Sequence, residues 1–482
     1  MTTGALEQPG RARADRRRPL SSAWAAAERN ALAVLAFGCF AALLATQVGA
    51  MLSTDGWLSL VSGRLIAQHG LPWHDTLTAL LHGRRWVDQQ WLAQLTLYGL
   101  ERLGGTQLLT TVNVILTLCA FAAAALLARR RGASDTVVAA VALVASIPLI
   151  ATASTVKPQS LCYVLWVGLL ASLGGDRRRA RHWIGVAAIL ALWANLHGSV
   201  LLAAALVSVR LGLDATRRRS AARWLAVPAP WAFVFASPYA PGLVHYYGTT
   251  VLNRGFSRYL AQWAPTSFTG IALPVFGLVF GGLYLVARKP GAFTRFETAA
   301  LILSMLAALM AVRNWPWLCL AAIAFAPKLV AGANHPRQGH GPARAGALVV
   351  GLGLVAALPF AFSRLGAAQA RLYPAAAATR AAAAAMPGHR HVWASARLAD
   401  WLLWRRPELA GAVVADARYE LLNGDELENL VLFRYGGAVR WTTSRARVFV
   451  LDPTTDARAL DALRPDVRVV YRSPHALVAV AR

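Results

Sequence analysis

Residues 30–52 read NALAVLAFGCFAALLATQVGAML, and residues 53–57 continue as STDGW. The first stretch carries no charge and is long enough to cross a bilayer as one helix. It is too long for a signal-peptide core and lacks a clear cleavage pattern, so it reads as a retained span. Residues 1–29 before it are Arg-rich, with Arg16-Arg17-Arg18 the densest part. Basic segments stay on the cytoplasmic side. The N-terminus is therefore expected inside, and Ser53 onward on the outer face.

Similar apolar runs recur as far as Phe362, and of 482 residues 57% are hydrophobic and 15% charged. A soluble chain carries about a quarter charged residues. The spacing predicts about eleven transmembrane helices. They fall at about 30–52, 106–128, 135–153, 159–174, a short pair within 183–213, then 224–237, 270–287, 297–312, 315–331 and 346–362. Basic residues at Arg129-Arg130-Arg131, Arg177-Arg178-Arg179, Arg217-Arg218-Arg219, Arg288-Lys289, Arg337 and Arg344 then share the cytoplasmic side. Two long outer loops result, at 53–105 and 238–269. From 371 the composition becomes that of a soluble domain. Strand-like runs at His391–Ala394, Ala412–Ala415, Ala446–Leu451, Val467–Tyr471 and Leu477–Ala481 alternate with helical runs, which predicts a small α/β layer.

The expected organisation is thus a basic cytoplasmic tail (1–29), an α-helical polytopic membrane domain (30–364) and an extracytoplasmic α/β domain (371–482). The expected location is the inner (plasma) membrane. The net charge of +27, from 49 Lys+Arg against 22 Asp+Glu, belongs to loops between apolar runs. It points to membrane lipids as partners and not to nucleic acid. Cys39, Cys119, Cys162 and Cys319 all sit inside apolar runs, as small hydrophobes do, so no disulfide or Cys-based metal site is expected.

Acids are scarce in the membrane domain: Asp55, Asp75, Asp88, Glu101, Asp135, Asp176, Asp214 and Glu297. The first four share the first outer loop. Asp55 follows span one directly, where a carboxylate meets a lipid-linked headgroup and can take a proton from an acceptor hydroxyl; it can equally head a helix as its cap. His74-Asp75 can bind a metal or an acceptor, or else form an Asx-turn after Gly70-Leu71-Pro72. Asp88 is a substrate contact or a helix cap. Asn195-Leu196-His197-Gly198 interrupts an apolar run, and polar groups at that depth point to function, or else to a hydrogen-bonded bend. Lys157 and Arg313 stand at outer span ends otherwise poor in cations, placed to hold a lipid phosphate or to snorkel. The second outer loop adds His245, Tyr246, Tyr247, Arg254, Arg258 and Trp263, cations and aromatics suited to phosphate and sugar or to an interfacial belt.

Three stretches resemble a known pattern: Asp55-Gly56-Trp57-Leu58-Ser59-Leu60-Val61-Ser62-Gly63-Arg64, Gly70-Leu71-Pro72-Trp73-His74-Asp75 and Trp86-Val87-Asp88-Gln89-Gln90-Trp91. Further along come Leu192-Trp193-Ala194-Asn195-Leu196-His197-Gly198, Ser237-Pro238-Tyr239, Arg313-Asn314-Trp315-Pro316, Asp400-Trp401-Leu402 and Ala415-Asp416-Ala417-Arg418. In this order they are similar to bacterial GT-C-type membrane glycosyltransferase-like proteins, over most of the chain. The resemblance implies a GT-C-like fold and a polyprenyl-phosphate-linked sugar donor. It implies a glycan, lipid or protein acceptor on the outer face, with Asp55 as the base. Two departures stand out. Asp55 is followed by Gly56 where many active relatives carry a second acid. Gln89-Gln90 replaces the His-Glu of the nearer branch, which argues against a metal site. No cofactor is named. The competing readings are a transporter or flippase of a lipid-linked glycan, and a non-catalytic envelope scaffold.

Overall fold

The computed structural model describes residues 27–175, 180–251, 253–326 and 342–482. The Arg16–Arg18 cluster, Arg177-Arg178-Arg179 and Arg337 lie outside the described residues. The first helix, Ala31–Gln47, begins with unsatisfied amides, as every helix does. Here the Leu32 and Ala33 N–H groups donate to the Asp135 carboxylate at 3.0 Å each. Asp135 itself heads the helix Asp135–Ala153, capped by Ser134. One acid thus serves two helix starts on the same face of the bundle. On that face Arg131 also pairs with Glu297 at 2.5 Å.

Five helical stretches among the described residues are long and apolar enough to cross a membrane. They are Ala31–Ala50, Trp91–Arg130, Asp135–Ala153, Gly270–Arg288 and Pro342–Ser363, with shorter apolar helices at Pro158–Leu173 and Arg181–Ala194. The last long stretch crosses the first where two glycines meet. A Cβ on Gly38 would stand 2.2 Å from the Gly351 carbonyl oxygen. Small residues at such crossings let helix backbones touch where lipid gives no hydrophobic drive. The long helix Trp91–Arg130 breaks at Gly104-Gly105, where Gly105 has φ +64°. That bend divides the helix into two segments.

The stretch 183–213 forms the expected pair, Ala180–Ala194 and Val200–Arg218, around a turn at Asn195–Ser199. The seventh span predicted at 224–237 is not a continuous helix. It is split into Ala221–Trp224, Ala229–Ala232 and Phe233–Phe235. Pro228 and Pro230 remove amide donors and break the ladder between the pieces. Tyr163, Trp166, Trp193 and Trp317 form a buried aromatic cluster, with Trp317 5.5–5.7 Å from the other three rings.

The C-terminal domain carries a four-stranded sheet. Its strands are β1 (Val392–Ala394), β2 (Val448–Leu451), β3 (Val467–Arg472) and β4 (Leu477–Ala481), in the order β1-β2-β4-β3. β1 runs parallel to β2, and β4 runs antiparallel to both its neighbours. Helices Ala375–Ala385, Ala396–Arg405, Gly424–Arg434 and Ala457–Leu463 complete the domain. The fifth strand predicted at Ala412–Ala415 does not form. It makes one bridge to β1, Val392↔Val413. Its other edge is occupied by the first outer loop, whose Ala79 and Leu80 N–H groups donate to the Val413 and Val414 carbonyls at 2.7 and 3.0 Å. Loop and domain therefore pack as one unit above the helices.

Candidate active site

Asp55 lies in the first turn of the helix Thr54–His69, which starts right after span one. Its side chain is exposed, and Ser53 occupies the N-cap position. The helix is seated from above: Arg64 donates to the Leu403 and Trp404 carbonyls at 2.8 and 3.0 Å. Tyr373 donates to the Leu52 carbonyl at 3.1 Å and packs edge-on to Trp57. Gly56 has a local reason. A Cβ there would stand 3.0 Å from the Val156 carbonyl oxygen and 2.6 Å from Leu52 Cδ1. The glycine lets the loop at 154–157 come against the helix start, where the Val156 N–H donates to the Met51 carbonyl at 2.8 Å.

That loop delivers Lys157 beside Asp55. Lys157 is 3% exposed, and its ammonium donates to the Thr152 carbonyl at 2.5 Å. Burial lowers its pKa to about 8; the Asp55 charge works against that shift and the Arg313 charge adds to it. Arg313 comes from the opposite side, on the single turn Val312–Asn314. Burial lowers its pKa too, opposed first by Asp55 and then by Tyr246. Two cations thus lie in the field of one carboxylate.

A chain of hydrogen bonds fixes Arg313. Trp193 Nε1 of the aromatic cluster donates to Ser199 Oγ at 3.0 Å, and Ser199 Oγ stands 2.8 Å from His197 Nδ1. His197 Nε2 stands 3.1 Å from an Arg313 guanidinium nitrogen. A guanidinium only donates, so Nε2 is the acceptor and the ring is neutral. Burial, then the Arg313 and Lys157 charges, push its pKa well below the usual value. Gln159 Nε2 donates to the Arg313 carbonyl at 3.0 Å, and Trp263 stacks under the guanidinium at 4.1 Å. Asn195 is held by the first outer loop: Trp91 Nε1 donates to its Oδ1 at 2.7 Å. Gln89 reaches the same turn, donating to the Ala194 carbonyl at 2.8 Å.

Asp75 and Asp88 sit deeper in the first outer loop. Asp75 is fully buried and accepts from the Leu77 and Thr78 amides at 3.0 and 3.1 Å. It also pairs with Arg418 of the C-terminal domain. Burial works to raise its pKa, but Arg418, Thr78 and the Leu77 amide outweigh that and hold it below the usual range. Arg418 is 1% exposed, pairs with Asp416 at 2.6 Å and covers the Trp86 ring at 4.3 Å. Asp400 stands beside this network; burial, then Asp416, raise its pKa well above the usual range. Asp88 accepts from Gln94 Nε2 at 2.9 Å, while its second oxygen has no partner. Burial, then the Glu420 charge, raise its pKa to about 8.

His74 is exposed at a bridge with Arg85, and Arg254 and Arg258 are exposed on the short helix Arg254–Tyr259. Of the residues singled out from the sequence, the structure gathers Asp55, Lys157 and Arg313 into one charged group, with the neutral His197 against Arg313. Asn195, Asp75 and Asp88 hold the loops and domain around it. Glu420 was not foreseen. It comes from the C-terminal domain, and burial raises its carboxyl to about 7, with Asp416 and Asp55 adding to the shift. Tyr246 bridges the two sides; burial and then Glu420 push its phenol well above the usual range. A lone acid in Arg418-Tyr419-Glu420 gives no sequence pattern that would have found it.

No family model matches the sequence, and no curated protein matches it significantly. Solved structures do match. ArnT from Cupriavidus metallidurans, bound to undecaprenyl phosphate, has a TM-score of 0.52 at 14% identity, over 95% of this chain and 98% of that one. The archaeal oligosaccharyltransferase AglB from Archaeoglobus fulgidus, in complex with an inhibitory peptide and a dolichol-phosphate, has a TM-score of 0.51 at 12% identity, over 96% of this chain and 75% of that one. At these identities the likeness is one of fold: the chain is a polytopic helical membrane protein that shares the fold of those proteins and bears a small C-terminal α/β domain.

Proposed function

We propose that the protein is a membrane glycosyltransferase that moves a sugar from a polyprenyl-phosphate donor to an envelope acceptor on the outer face. The observation that carries this reading is the exposed Asp55 carboxylate with the buried cations Lys157 and Arg313 in its field, at the ends of apolar helices. The lipid phosphate sits against the two cations. The acceptor oxygen attacks the anomeric carbon as its proton passes to Asp55. The bond from that carbon to the phosphate oxygen breaks, and its electron pair leaves with the polyprenyl phosphate. Charge grows on the phosphate as it departs, so fixed cations favour the transition state over the ground state. The neutral His197 holds Arg313 in place without adding a third charge.

The protein lies in the inner membrane, its N-terminus cytoplasmic and its C-terminal domain outside, with about eleven crossings. The Arg131–Glu297 pair and the Asp135 caps lie at the cytoplasmic ends, opposite Asp55. The binding half of the reading is tested with undecaprenyl phosphate and the protein in lipid nanodiscs. A charge-assisted contact contributes about 1.5–3 kcal/mol, so Lys157→Met or Arg313→Met weakens binding about tenfold or more. Unchanged affinity in both variants would remove the cations from the donor site.

A further inference from the structure

A cleft of about 470 Å³ opens between the two outer loops and the C-terminal domain. Arg84 of the first loop, His245, Thr249 and Asn253 of the second, and Glu420 and Asn423 of the domain line it. Its size falls within the ~300–1,000 Å³ of small-molecule sites. The donor machinery of Lys157, Arg313 and Asp55 is not part of this lining.

Beside the apolar Leu421 and Leu422, the lining carries several fixed hydrogen-bonding groups. Arg84 is turned by Glu426, its guanidinium 2.8 Å from Glu426 Oε2, so its charge is matched. Asn253 Oδ1 accepts from the Gly255 amide at 2.8 Å and Asn423 Oδ1 from the Glu426 amide at 2.9 Å. Each asparagine is thereby oriented through its oxygen and keeps two N–H donors. Thr249 donates to the His245 carbonyl at 2.9 Å and keeps its acceptor lone pairs. Spread donors and acceptors with nearly balanced charge suit a neutral, hydroxyl-rich molecule. They do not suit an acyl chain, which needs an apolar wall, or a phosphate, which needs unpaired cations.

One lining residue connects this cleft to the reacting atoms. Glu420 is half-buried and close enough to Asp55 for the two carboxylates to act on each other. Tyr246, next to His245, stands in the field of both Glu420 and Arg313.

We propose that this cleft is a saccharide-binding subsite for the acceptor, in which Glu420 holds one of its hydroxyls. The proposal rests on the glycosyl-transfer reading above and names the acceptor class for it. The proton balance is that already given: the acceptor proton goes to Asp55, and Glu420 ends the step in the protonation state in which it began. A carboxyl titrating near neutrality can both donate to and accept from a sugar hydroxyl, which fits that holding role.

The test uses the full-length protein in nanodiscs and two probes. One is undecaprenyl phosphate; the other is a panel of free trisaccharides of neutral hexoses and N-acetylhexosamines, read by saturation-transfer NMR. At least one trisaccharide should show transfer from the parent protein. Thr249→Trp, which fills the cleft from an exposed position, should abolish it. Glu420→Gln should weaken it about tenfold, the size of one charge-assisted hydrogen bond. Both variants should still bind undecaprenyl phosphate, which also shows that they are folded. Absence of transfer to every trisaccharide, or equal transfer in Thr249→Trp, overturns the cleft assignment while leaving the donor reading intact. Failure of the parent protein to bind undecaprenyl phosphate overturns the donor reading instead.

Discussion

Replacing Arg418 by Met should release the first outer loop from the C-terminal domain. Arg418 is 1% exposed and shared by Asp75, at 0%, and Asp416, at 4%. Met keeps much of the stem that packs on Trp86 but removes the charge. Breaking a buried pair by removing one partner costs about 3–5 kcal/mol, because the other charge is left uncompensated. Asp75 keeps its Leu77 and Thr78 hydrogen bonds, which places the expected loss at the lower end, about 3 kcal/mol. The loss should appear where loop meets domain, at the Ala79 and Leu80 amides that donate to Val413 and Val414. At ~1.4 kcal/mol per factor of ten, hydrogen exchange there should quicken about a hundredfold. Amides of the membrane helix Asp135–Ala153 should not change. Arg418→Met combined with Asp75→Asn and Asp416→Asn should recover much of the protection, since no buried charge is then left uncompensated and the side-chain oxygens still accept their hydrogen bonds. Unchanged exchange at Ala79 and Leu80 in the single variant would refute the idea that this ion pair joins the two elements.

Lys157 is charged below about pH 8 and neutral above it, so undecaprenyl phosphate affinity should fall as the pH rises through that region. Bound phosphate moves the midpoint upward, and Lys157→Arg should flatten the profile; a flat parental profile would contradict the phosphate contact. Asp88 ionises near about 4 when unfolded but near 8 in the fold, so the native state holds the extra proton between those values and stability falls as the pH rises across the window. Asp88→Asn has no such proton. Its melting temperature should climb relative to the parent between the two values, and a difference that does not vary with pH would refute the buried neutral acid. For topology, Ser473→Cys in a background without the native cysteines should react with an impermeant thiol reagent in intact spheroplasts, and Ser220→Cys should not. Labelling at Ser220 alone would reverse the orientation.

The membrane architecture was legible because long apolar runs with basic flanks have few other uses. The pair of short helices around Asn195–Ser199 was readable from the same signal, since both flanks needed to be cytoplasmic. The seventh stretch was over-read as one continuous helix: 224–237 is apolar enough, but Pro228 and Pro230 interrupt the helix ladder and leave short pieces. In the soluble domain the helix Ala396–Arg405 and the strand Leu477–Ala481 follow local pattern closely. Ala412–Ala415 has strand composition, yet its pairing partner is the loop at 77–80, a choice that only the assembled fold makes. At the site, Lys157 and Arg313 stood out because cations are rare at outer span ends. Asp55 stood out because acids are rare in the membrane domain. Glu420 had no such contrast, since acids are ordinary in a soluble domain and its meaning comes from the cleft. Gly56, which looked like a missing second acid, is explained by the close approach of Val156.

The central claim is that Asp55 is the base of a glycosyl transfer. Ser53, not Asp55, is the helix N-cap, so Asp55→Asn forfeits only a helix-dipole contribution of about 0.3–1 kcal/mol and the protein should fold and reach the membrane. Loss of a general base slows transfer by about 10²–10⁴-fold. Mass spectrometry of envelope glycans should therefore show the same missing sugar in cells lacking the protein and in cells making Asp55→Asn at the parental level, while the purified variant still binds undecaprenyl phosphate. A parental glycan profile from the Asp55→Asn cells, beside a changed profile from the cells lacking the protein, would contradict the account.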